Sequence, residues 1–248
     1  MKLLILLTNQ SKLHLIDGEL HPSGFWAEEL VVPYKRFKQE GYEINIATIG
    51  GIRPTPDETS IDPNFLKYVR PEHSENHDLE ASKEYIQVIE NLTDLHHPMN
   101  INTLTEKQMA SYDGVYISGG HGAIGDFTKS DALTQVIRWT LELEKPLAVV
   151  CHGHCALLAL RDGESVWPFA GYRMTCFSHS EELVTNMAGK LPLVLEVEIK
   201  RLGAHYEKAD TIWDSHVVED RNLLTGQNPH SSKALAEAFV KKLNSANQ

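Results

Sequence analysis

Cys151 is the residue of this sequence whose surroundings most favour nucleophilic chemistry. It ends the apolar run 147–150, a glycine follows at Gly153, and a helical pattern begins at 156–160. This strand–turn–helix order is typical of a nucleophile elbow, which lifts a side chain above the carboxyl end of a parallel sheet. A helix N-terminus beside the sulfur favours the thiolate, the reactive form of cysteine. We therefore predict that Cys151 is a catalytic nucleophile.

A glycine-rich turn at 118–122 directly follows a second apolar run at 115–118. Successive glycines allow backbone amides to turn toward a site without steric cost. We predict that Gly119, Gly120 and His121 bind the substrate, because amides beside a cysteine can form an oxyanion hole. The turn lacks the spacing of a Rossmann fingerprint or a P-loop, so no nucleotide is predicted.

Two acidic residues, Glu28 and Glu29, follow the first apolar run of the chain. Pro33 comes soon afterwards, and proline is unfavourable inside a helix. We therefore expect both glutamates on an irregular turn that enters the helix, from which one carboxylate can point at the cysteine. A solvated helix start is the alternative interpretation of such an acidic pair.

The pattern of apolar residues predicts alternating strands and helices. Short apolar runs typical of buried strands lie at 3–7, 44–48, 115–118 and 147–150. Helical periodicity between them ends at Gly41 and before Pro146, and this succession implies right-handed crossovers. We predict an α/β fold of the flavodoxin-like, doubly wound type, in which helices sandwich a mostly parallel sheet.

The proline-rich stretch 50–102 breaks this rhythm, although residues 85–92 have a helical pattern. We interpret the stretch as an insertion or lid, and an ordinary surface excursion is an equal alternative. Glu72, His73 and His77 have helix-like spacing within it. Solvated histidines in an acidic segment explain this spacing better than a metal site does, so no metal is predicted.

Composition limits the class of protein. The 248 residues include 23 lysines and arginines against 34 acidic residues, a formal charge of −11. Such a charge disfavours nucleic-acid partners, because phosphate backbones are repelled. The sequence shows neither signal-peptide features nor an apolar run long enough for a bilayer, so no membrane partner is predicted. Three cysteines are too few for a disulfide framework and favour a reducing cytoplasm.

These segments together resemble the ThiJ/PfpI family of the class I glutamine-amidotransferase-like superfamily, most closely its glyoxalase III and heat-shock chaperone branch. The matching features are Glu29 before Pro33, the Gly-Gly-His-Gly turn at 119–122, the Cys-His-Gly elbow at 151–153, and a C-terminal signature at 202–204, Trp213 and 224–229. The resemblance covers nearly the whole chain. It implies a single glutamine-amidotransferase-like domain over residues 1–248 and a homodimer.

The resemblance also implies roles for individual side chains. Cys151 is expected to be the nucleophile, with His152 as its neighbour and Glu29 as the acidic partner of the sulfur. A further acid is expected to complete a triad-like arrangement, with Glu182 as the first choice and Glu181 as the second. The expected substrate is a small carbonyl compound, and no cofactor is expected.

The chain departs from the pattern of this branch at four positions. The branch usually has tryptophan at Gly125, proline at His154, a small residue at Cys155 and glycine at Cys176. We expect His154 and Gly125 to line or border the substrate pocket, so these departures bear on substrate shape. Cys155 lies one helical turn from Cys151, which makes sulfur–sulfur contact conceivable; simple packing is the alternative.

The leading functional hypothesis is a glutathione-independent glyoxalase that converts methylglyoxal or a related 2-oxoaldehyde to a hydroxy acid. Cys151 would form a hemithioacetal, and Glu29, with its pKa raised by a desolvated site, would move a proton between the two carbons. One alternative is a stress-related holdase chaperone or a sensor whose cysteine oxidises. Another is a cysteine hydrolase acting on a peptide, amide or isonitrile-like substrate, for which His152 would be essential and Glu29 dispensable.

Overall fold

Strands and helices alternate along the computed structural model, which describes residues 1–69, 75–161, 166–185 and 187–246. The strands are β1 (Lys2–Leu6), β2 (Lys12–His14), β3 (Leu20–Pro22), β4 (Glu43–Thr48), β5 (Met99–Asn100), β6 (Gly114–Ile117), β7 (Leu147–Val150), β8 (Arg173–Met174), β9 (His205–Tyr206), β10 (Val217–Asp220) and β11 (Leu223–Gly226). The α-helices are α1 (Ala27–Gln39), α2 (Pro63–Val69), α3 (Glu75–Asn91), α4 (Thr93–His96), α5 (Glu106–Ala110), α6 (Ala123–Asp126), α7 (Asp131–Glu142), α8 (Cys155–Leu158), α9 (His179–Glu182), α10 (Leu195–Arg201) and α11 (Ser232–Ala246). No helix formed by these residues is long and apolar enough to cross a membrane.

The central sheet of the described chain has seven strands in the order β10-β11-β7-β6-β1-β4-β5. Neighbouring strands are parallel, except that β10 runs antiparallel to β11. The chain places β4 on one side of β1 and β6 on the other, so the strand order reverses at β1. Doubly wound sheets bind ligands outside the carboxyl ends of their strands at such a reversal. The predicted doubly wound, mostly parallel sheet is confirmed.

Both faces of this sheet are buried. Along β1, Leu3 and Ile5 pack into one core with α1 and α11, whereas Leu4 and Leu6 pack into the other with α7 and α8. Successive side chains of a strand point to opposite faces, so a sheet covered on both sides needs nearly continuous apolar strands. This requirement explains why short apolar runs located the parallel strands in the sequence.

The start of α1 differs from the prediction of an irregular turn. Glu28 and Glu29 lie in the first turn of a regular helix, and Pro33 lies inside that helix. Proline lacks the N–H that would bond to the carbonyl four residues earlier, which is that of Glu29. The hydroxyl of Tyr116 on β6 donates a 3.0 Å hydrogen bond to this carbonyl instead. The helix therefore tolerates Pro33 because a neighbouring strand satisfies the carbonyl that the proline leaves free.

The stretch 50–102 contains helices α2, α3 and α4 and ends in β5, the edge strand of the central sheet. The predicted helix at 85–92 is confirmed as the second half of α3, which ends at Asn91. A single bridge between Phe25 and Pro56 holds the beginning of the stretch beside the entry to α1. Glu72 and His73, considered above as metal ligands, lie outside the described residues.

The aromatic packing between α11 and the sheet provides a test of the fold. Phe239 is fully buried, and its ring centroid lies 5.7 Å from that of Phe37 and 6.4 Å from that of Tyr116. Phe239→Ala should lower the free energy of unfolding by about 3–5 kcal/mol, because a large buried ring is removed. Urea unfolding measures this loss. The exposed Lys241→Ala on the same helix should change it by less than about 0.5 kcal/mol, and equal effects would contradict the packing described.

Candidate active site

Cys151 occupies a strained turn at the carboxyl end of β7. Its φ of 55° lies in the left-handed region, which non-glycine residues rarely adopt. A 3₁₀ turn over Cys151–His154 and the short helix α8 follow at once. A Cβ at Gly153 would lie 2.9 Å from the carbonyl oxygen of Ile117, so only glycine allows the turn to pack this closely against β6. The sharp turn predicted at Cys151 is therefore present.

The thiol of Cys151 is not a preformed thiolate, contrary to the prediction. Burial and the neighbouring Glu29 carboxyl raise the pKa of the Cys151 thiol well above its usual range, and the backbone amides of His152 and Gly120 lower it less than these raise it. The side chain is only 3% exposed. The following helix spans four residues, so its dipole contributes little. The sulfur therefore needs a base that removes its proton as it attacks.

Glu29 places a fully buried carboxyl group beside this sulfur. Its Oε2 accepts a 2.7 Å hydrogen bond from the N–H of Gly119, while Oε1 is buried without a hydrogen-bond partner among the described residues. Burial raises the pKa of Glu29 to about 8, although hydrogen bonds with Cys151 and Gly119 oppose this change. The carboxyl therefore holds a proton at neutral pH and can lose it slightly above neutrality.

The hydrogen bond to Glu29 changes the role predicted for the glycine turn. A Cβ at Gly119 would lie 2.8 Å from Oε2 of Glu29, so glycine is required for this contact. Because its N–H is directed to Glu29, Gly119 does not offer that amide to a substrate. The amides that act on the sulfur belong to Gly120 and His152. His121, the third residue predicted to bind the oxyanion, is connected to the site through its side chain.

Two histidines share the carboxylate of Glu182. Nε2 of His152 lies 2.8 Å from Oε2, and Nε2 of His121 lies 2.9 Å from Oε1. Nδ1 of His152 lies 3.4 Å from the sulfur of Cys151, so cysteine, histidine and glutamate form a continuous chain. The two imidazole centroids are 4.2 Å apart.

The charges in this chain favour a neutral base at His152. Burial and the neighbouring His121 lower the pKa of His152. Burial also acts against a charge on His121, but the Glu182 carboxylate raises the pKa of His121 above its usual value. Although burial opposes its charge, the two histidines hold the pKa of Glu182 well below its usual range. Glu182 is therefore ionised, and His152 can accept a proton from the thiol.

Glu181, the second choice for the third acid, faces away from the sulfur. It accepts hydrogen bonds from the N–H of Ser178 at 2.9 Å, the N–H of Trp213 at 3.0 Å and the amide of Asn228 at 2.7 Å. These contacts tie the start of α9 to the C-terminal segment. The geometry thus assigns Glu181 a structural position and brings Glu182 to the histidines.

A partly enclosed cavity of about 50 Å³ is lined by Cys151. A water molecule needs about 10–15 Å³ of such space, so the cavity has room for a compound of a few heavy atoms. None of the described lining residues is a lysine or arginine, which favours an uncharged substrate. Aromatic side chains from separate segments form much of the wall: Trp26, Phe65, Phe177 and Trp213.

The four departures from the family pattern lie outside this cavity. His154 is buried, its Nδ1 lies 2.8 Å from the carbonyl oxygen of Cys151, and burial lowers its pKa to about 3. Cys155 and Cys176 are fully buried free thiols in the core. Gly125 lines a separate surface groove. His154 and Gly125 are not among the described residues that line the cavity, so the expectation that they line the substrate pocket is wrong.

The shared carboxylate also offers the geometry of a metal site. One ligand atom from each of His121, His152 and Glu182 lies within 4.8 Å of the others. All three groups already satisfy one another through hydrogen bonds. The prediction that the protein has no metal stays a prediction.

A strained cysteine at the carboxyl end of a doubly wound sheet, beside a buried carboxyl group, defines the class of α/β proteins built around a nucleophile elbow. The sequence places the chain more narrowly. The family model described as ThiJ/PfpI family-like matches residues 20–204, and the chain belongs to this family. The predicted resemblance is confirmed.

Relatives extend over almost the whole chain. Protein/nucleic acid deglycase 1 of Escherichia coli K12 is 26% identical over 246 residues, which cover 98% of this chain and 81% of the relative. The crystal structure of glyoxalase III from Candida albicans is 24% identical, with a TM-score of 0.78 over 97% of this chain and 96% of that chain. Rapid Encystment Protein 24 kDa of Francisella tularensis is also 24% identical, with a TM-score of 0.76 over 98% of each chain. At these identities the two structures establish the fold.

The raised pKa of Glu29 predicts a pH-dependent stability. Between pH 4.5 and about 8 the folded protein holds one proton more than the unfolded chain, so this group makes folding less favourable as the pH rises. A tenfold difference in proton affinity between the folded and unfolded states corresponds to about 1.4 kcal/mol. Glu29→Gln removes this titration. The free energy of unfolding of this variant, relative to that of wild type, should therefore rise by about 3 kcal/mol between pH 5 and pH 8.

Chemical unfolding at a series of pH values measures this difference. Glu237→Gln, an exposed carboxylate on α11, is the matched control and should stay parallel to wild type. A constant difference between Glu29→Gln and wild type across this range would show that Glu29 titrates normally.

Proposed function

We propose that the protein is a glyoxalase III-like lyase that converts a small, uncharged 2-oxoaldehyde such as methylglyoxal to a 2-hydroxy acid without glutathione. The observation that carries this proposal is the fully buried carboxyl group of Glu29, with a pKa of about 8, beside the sulfur of Cys151. A hydrolase triad requires only the chain of Cys151, His152 and Glu182. A second, neutral carboxyl at the sulfur suits an enzyme that must also move a proton between two carbon atoms.

The first step is addition of Cys151 to the aldehyde. As the sulfur bonds to the aldehyde carbon, Nδ1 of His152 accepts the thiol proton, and the carbonyl electron pair moves to oxygen. The amides of Gly120 and His152 stabilise the developing oxyanion, which then takes the proton back from the imidazole. The product is a hemithioacetal. The strained backbone of Cys151 fixes the direction of attack.

The second step is the isomerisation that Glu29 performs. Its carboxylate removes the hydrogen from the carbon bound to sulfur, and the electron pair moves onto the ketone oxygen to give an enediolate. Neutral His152 carries the hydroxyl proton from the former aldehyde oxygen to the former ketone oxygen, while Glu29 returns the hydrogen to the adjacent carbon. The former aldehyde carbon becomes a thioester carbonyl, and the former ketone becomes a hydroxyl-bearing carbon. Only the ionised form of Glu29 can begin this step, so a pKa near 8 balances base strength against availability.

The third step is hydrolysis of the thioester. Neutral His152, held by Glu182 at 2.8 Å, removes a proton from water as the water attacks the carbonyl carbon. The carbon–sulfur bond breaks, the hydroxy acid leaves, and the proton returns to the sulfur of Cys151. The resting thiol is restored without a change of oxidation state in the protein.

The names of the relatives support this proposal. The Candida albicans protein is a glyoxalase III, and the Escherichia coli relative is a deglycase of protein and nucleic acid. Both names describe chemistry on carbonyl compounds or their adducts. Because the second name includes nucleic acid, the net charge alone is a weak argument against nucleic-acid substrates, and the absence of such a partner stays a prediction.

A cysteine hydrolase, including a deglycase, is the second candidate. The continuous chain of Cys151, His152 and Glu182, with steps of 3.4 and 2.8 Å, favours it. The small cavity admits a side-chain adduct less easily than a free aldehyde.

An oxidation sensor is disfavoured, because the Cys151 thiol is buried and has a raised pKa. A holdase would depend on other surfaces, and we keep it as an alternative.

Lactate formation from methylglyoxal in the absence of glutathione tests the proposal. Wild type should turn over, Cys151→Ala should fall to background, and Glu29→Gln should lose about 10²–10⁴-fold in kcat. Cys176→Ala, which removes a buried thiol outside the cavity, should keep activity. Full activity in Glu29→Gln would assign the proton transfer to another group, whereas no lactate from wild type would instead favour the hydrolase.

The pH profile tests the ionisation of Glu29 separately. Because the carboxylate is the active form, kcat/KM should rise with pH and level off above an apparent pKa near 8. Hydrolysis of a lactoyl thioester bypasses the isomerisation. Its rate should not show this rise with pH and should be retained in Glu29→Gln. An isomerisation rate that is constant from pH 6 to pH 9 would show that Glu29 does not titrate in the reaction.

A further inference from the structure

A second concave site lies on the surface, apart from Cys151. It is a groove of about 650 Å³ formed by strand β2, helix α6 with the residues that follow it, Arg161 just after α8, and the segment from Pro192 to the last residue of α10. Its volume falls in the range of about 300–1,000 Å³ that small-molecule sites occupy. None of its lining residues lines the cavity above Cys151. We name it the β2–α10 groove.

The charge of this groove is opposite to that of the chain. Its described lining residues include four cationic side chains, Lys12, Lys129, Arg161 and Arg201, against one carboxylate, that of Glu198. Glu198 is engaged by Arg201 at 2.8 Å. Lys12 and Lys129 are exposed and have no carboxylate partner within the described part of the chain. A protein with a net charge of −11 thus concentrates positive charge in one groove.

The apolar lining of the groove is aliphatic. Pro192 is exposed and Leu193 is half-buried, whereas Leu13 and Ile124 at the floor are only 2% and 4% exposed. No described lining residue is phenylalanine, tyrosine or tryptophan. An aliphatic floor under a cationic rim is complementary to a hydrocarbon chain that ends in an anionic group.

A glycine keeps this groove open. A Cβ at Gly125 would already lie 3.2 Å from Cγ of Gln10 and 3.7 Å from Cδ1 of Leu13. A large side chain at this position would therefore extend into the groove and cover its floor. The groove depends on a position at which this chain departs from the pattern described above, where tryptophan is usual.

We propose that the β2–α10 groove binds a small aliphatic anion, a carboxylate or phosphate ester with a short hydrocarbon chain. The chain lies against Pro192 and Leu193, and the anionic group lies between Lys12 and Lys129, with Arg161 and Arg201 adding to the positive field. This binding does not depend on the proposed glyoxalase chemistry. Because β2 pairs with β3, whose His21 lines the Cys151 cavity, a bound anion contacts the same hairpin as the substrate.

Calorimetric titration of the whole protein with octanoate, octyl phosphate and octanol tests this proposal. The two anions should bind, octanol should bind at least about tenfold more weakly, and affinity should fall as salt is added. Octanol affinity equal to that of octanoate would overturn the proposal. Cys151→Met, whose longer side chain occupies part of the other cavity, should leave the affinity unchanged; loss of binding would place the ligand in the active site instead.

Variants locate the site. Lys12→Glu combined with Lys129→Glu should weaken octanoate binding by at least about tenfold. The control combines Lys233→Glu with Lys241→Glu, two exposed positions on α11, and changes the net charge equally. If both double variants weaken octanoate binding equally, the effect is due to net charge alone, and the proposal is overturned. Gly125→Trp should abolish binding with lyase activity retained, and the charge pairs decide the question if that variant fails to fold.

Discussion

A neutral carboxyl group held against a buried thiol is the interaction on which the site depends. The N–H of Gly119 fixes one oxygen of Glu29, and burial keeps the proton on the group near neutrality. The same burial raises the pKa of the Cys151 thiol, so the resting sulfur is protonated rather than a thiolate. A separate base is then necessary, and the sheet supplies it as His152, held by Glu182.

The position of these groups follows from the topology. Glu29 lies on the helix after β1, the glycine turn follows β6, and Cys151 follows β7. Because these three strands are adjacent and parallel, their carboxyl ends lie side by side at one edge of the sheet. Close approach is possible because Gly119 and Gly153 lack a Cβ. Tyr116 joins this framework from β6 by bonding to the carbonyl of Glu29.

The sequence was sufficient for the features that depend on local pattern. Apolar runs located the parallel strands, and Cys151 followed by Gly153 located the elbow, because backbone geometry and residue type are linked there. Contacts between segments that are distant in the chain could not be predicted from the sequence pattern. That Pro33 is tolerated depends on Tyr116, more than 80 residues away, and that Gly119 serves Glu29 depends on how two loops meet.

Electrostatic properties were predictable only in part, since burial is a tertiary property; the raised pKa of Glu29 was expected and is present, but the state of Cys151 was not. The thiolate expected from a helix N-terminus is overruled by desolvation and by the carboxyl of Glu29. The side chain of His121 gave no local signal for its bond to Glu182, because 61 residues separate them. Gly125, in turn, was assigned to the substrate pocket from the family pattern, whereas it opens a different groove.

Isotope transfer in the isomerisation tests the central claim most directly. Methylglyoxal deuterated at the aldehyde carbon is converted in ordinary water, and deuterium at the hydroxyl-bearing carbon of the lactate is measured by mass spectrometry. A single buried carboxylate that moves the hydrogen between carbons predicts substantial retention of deuterium, with product formation lowered about 10²–10⁴-fold in Glu29→Gln. Complete loss of the label to solvent, or retention in an active Glu29→Gln enzyme, would contradict the account.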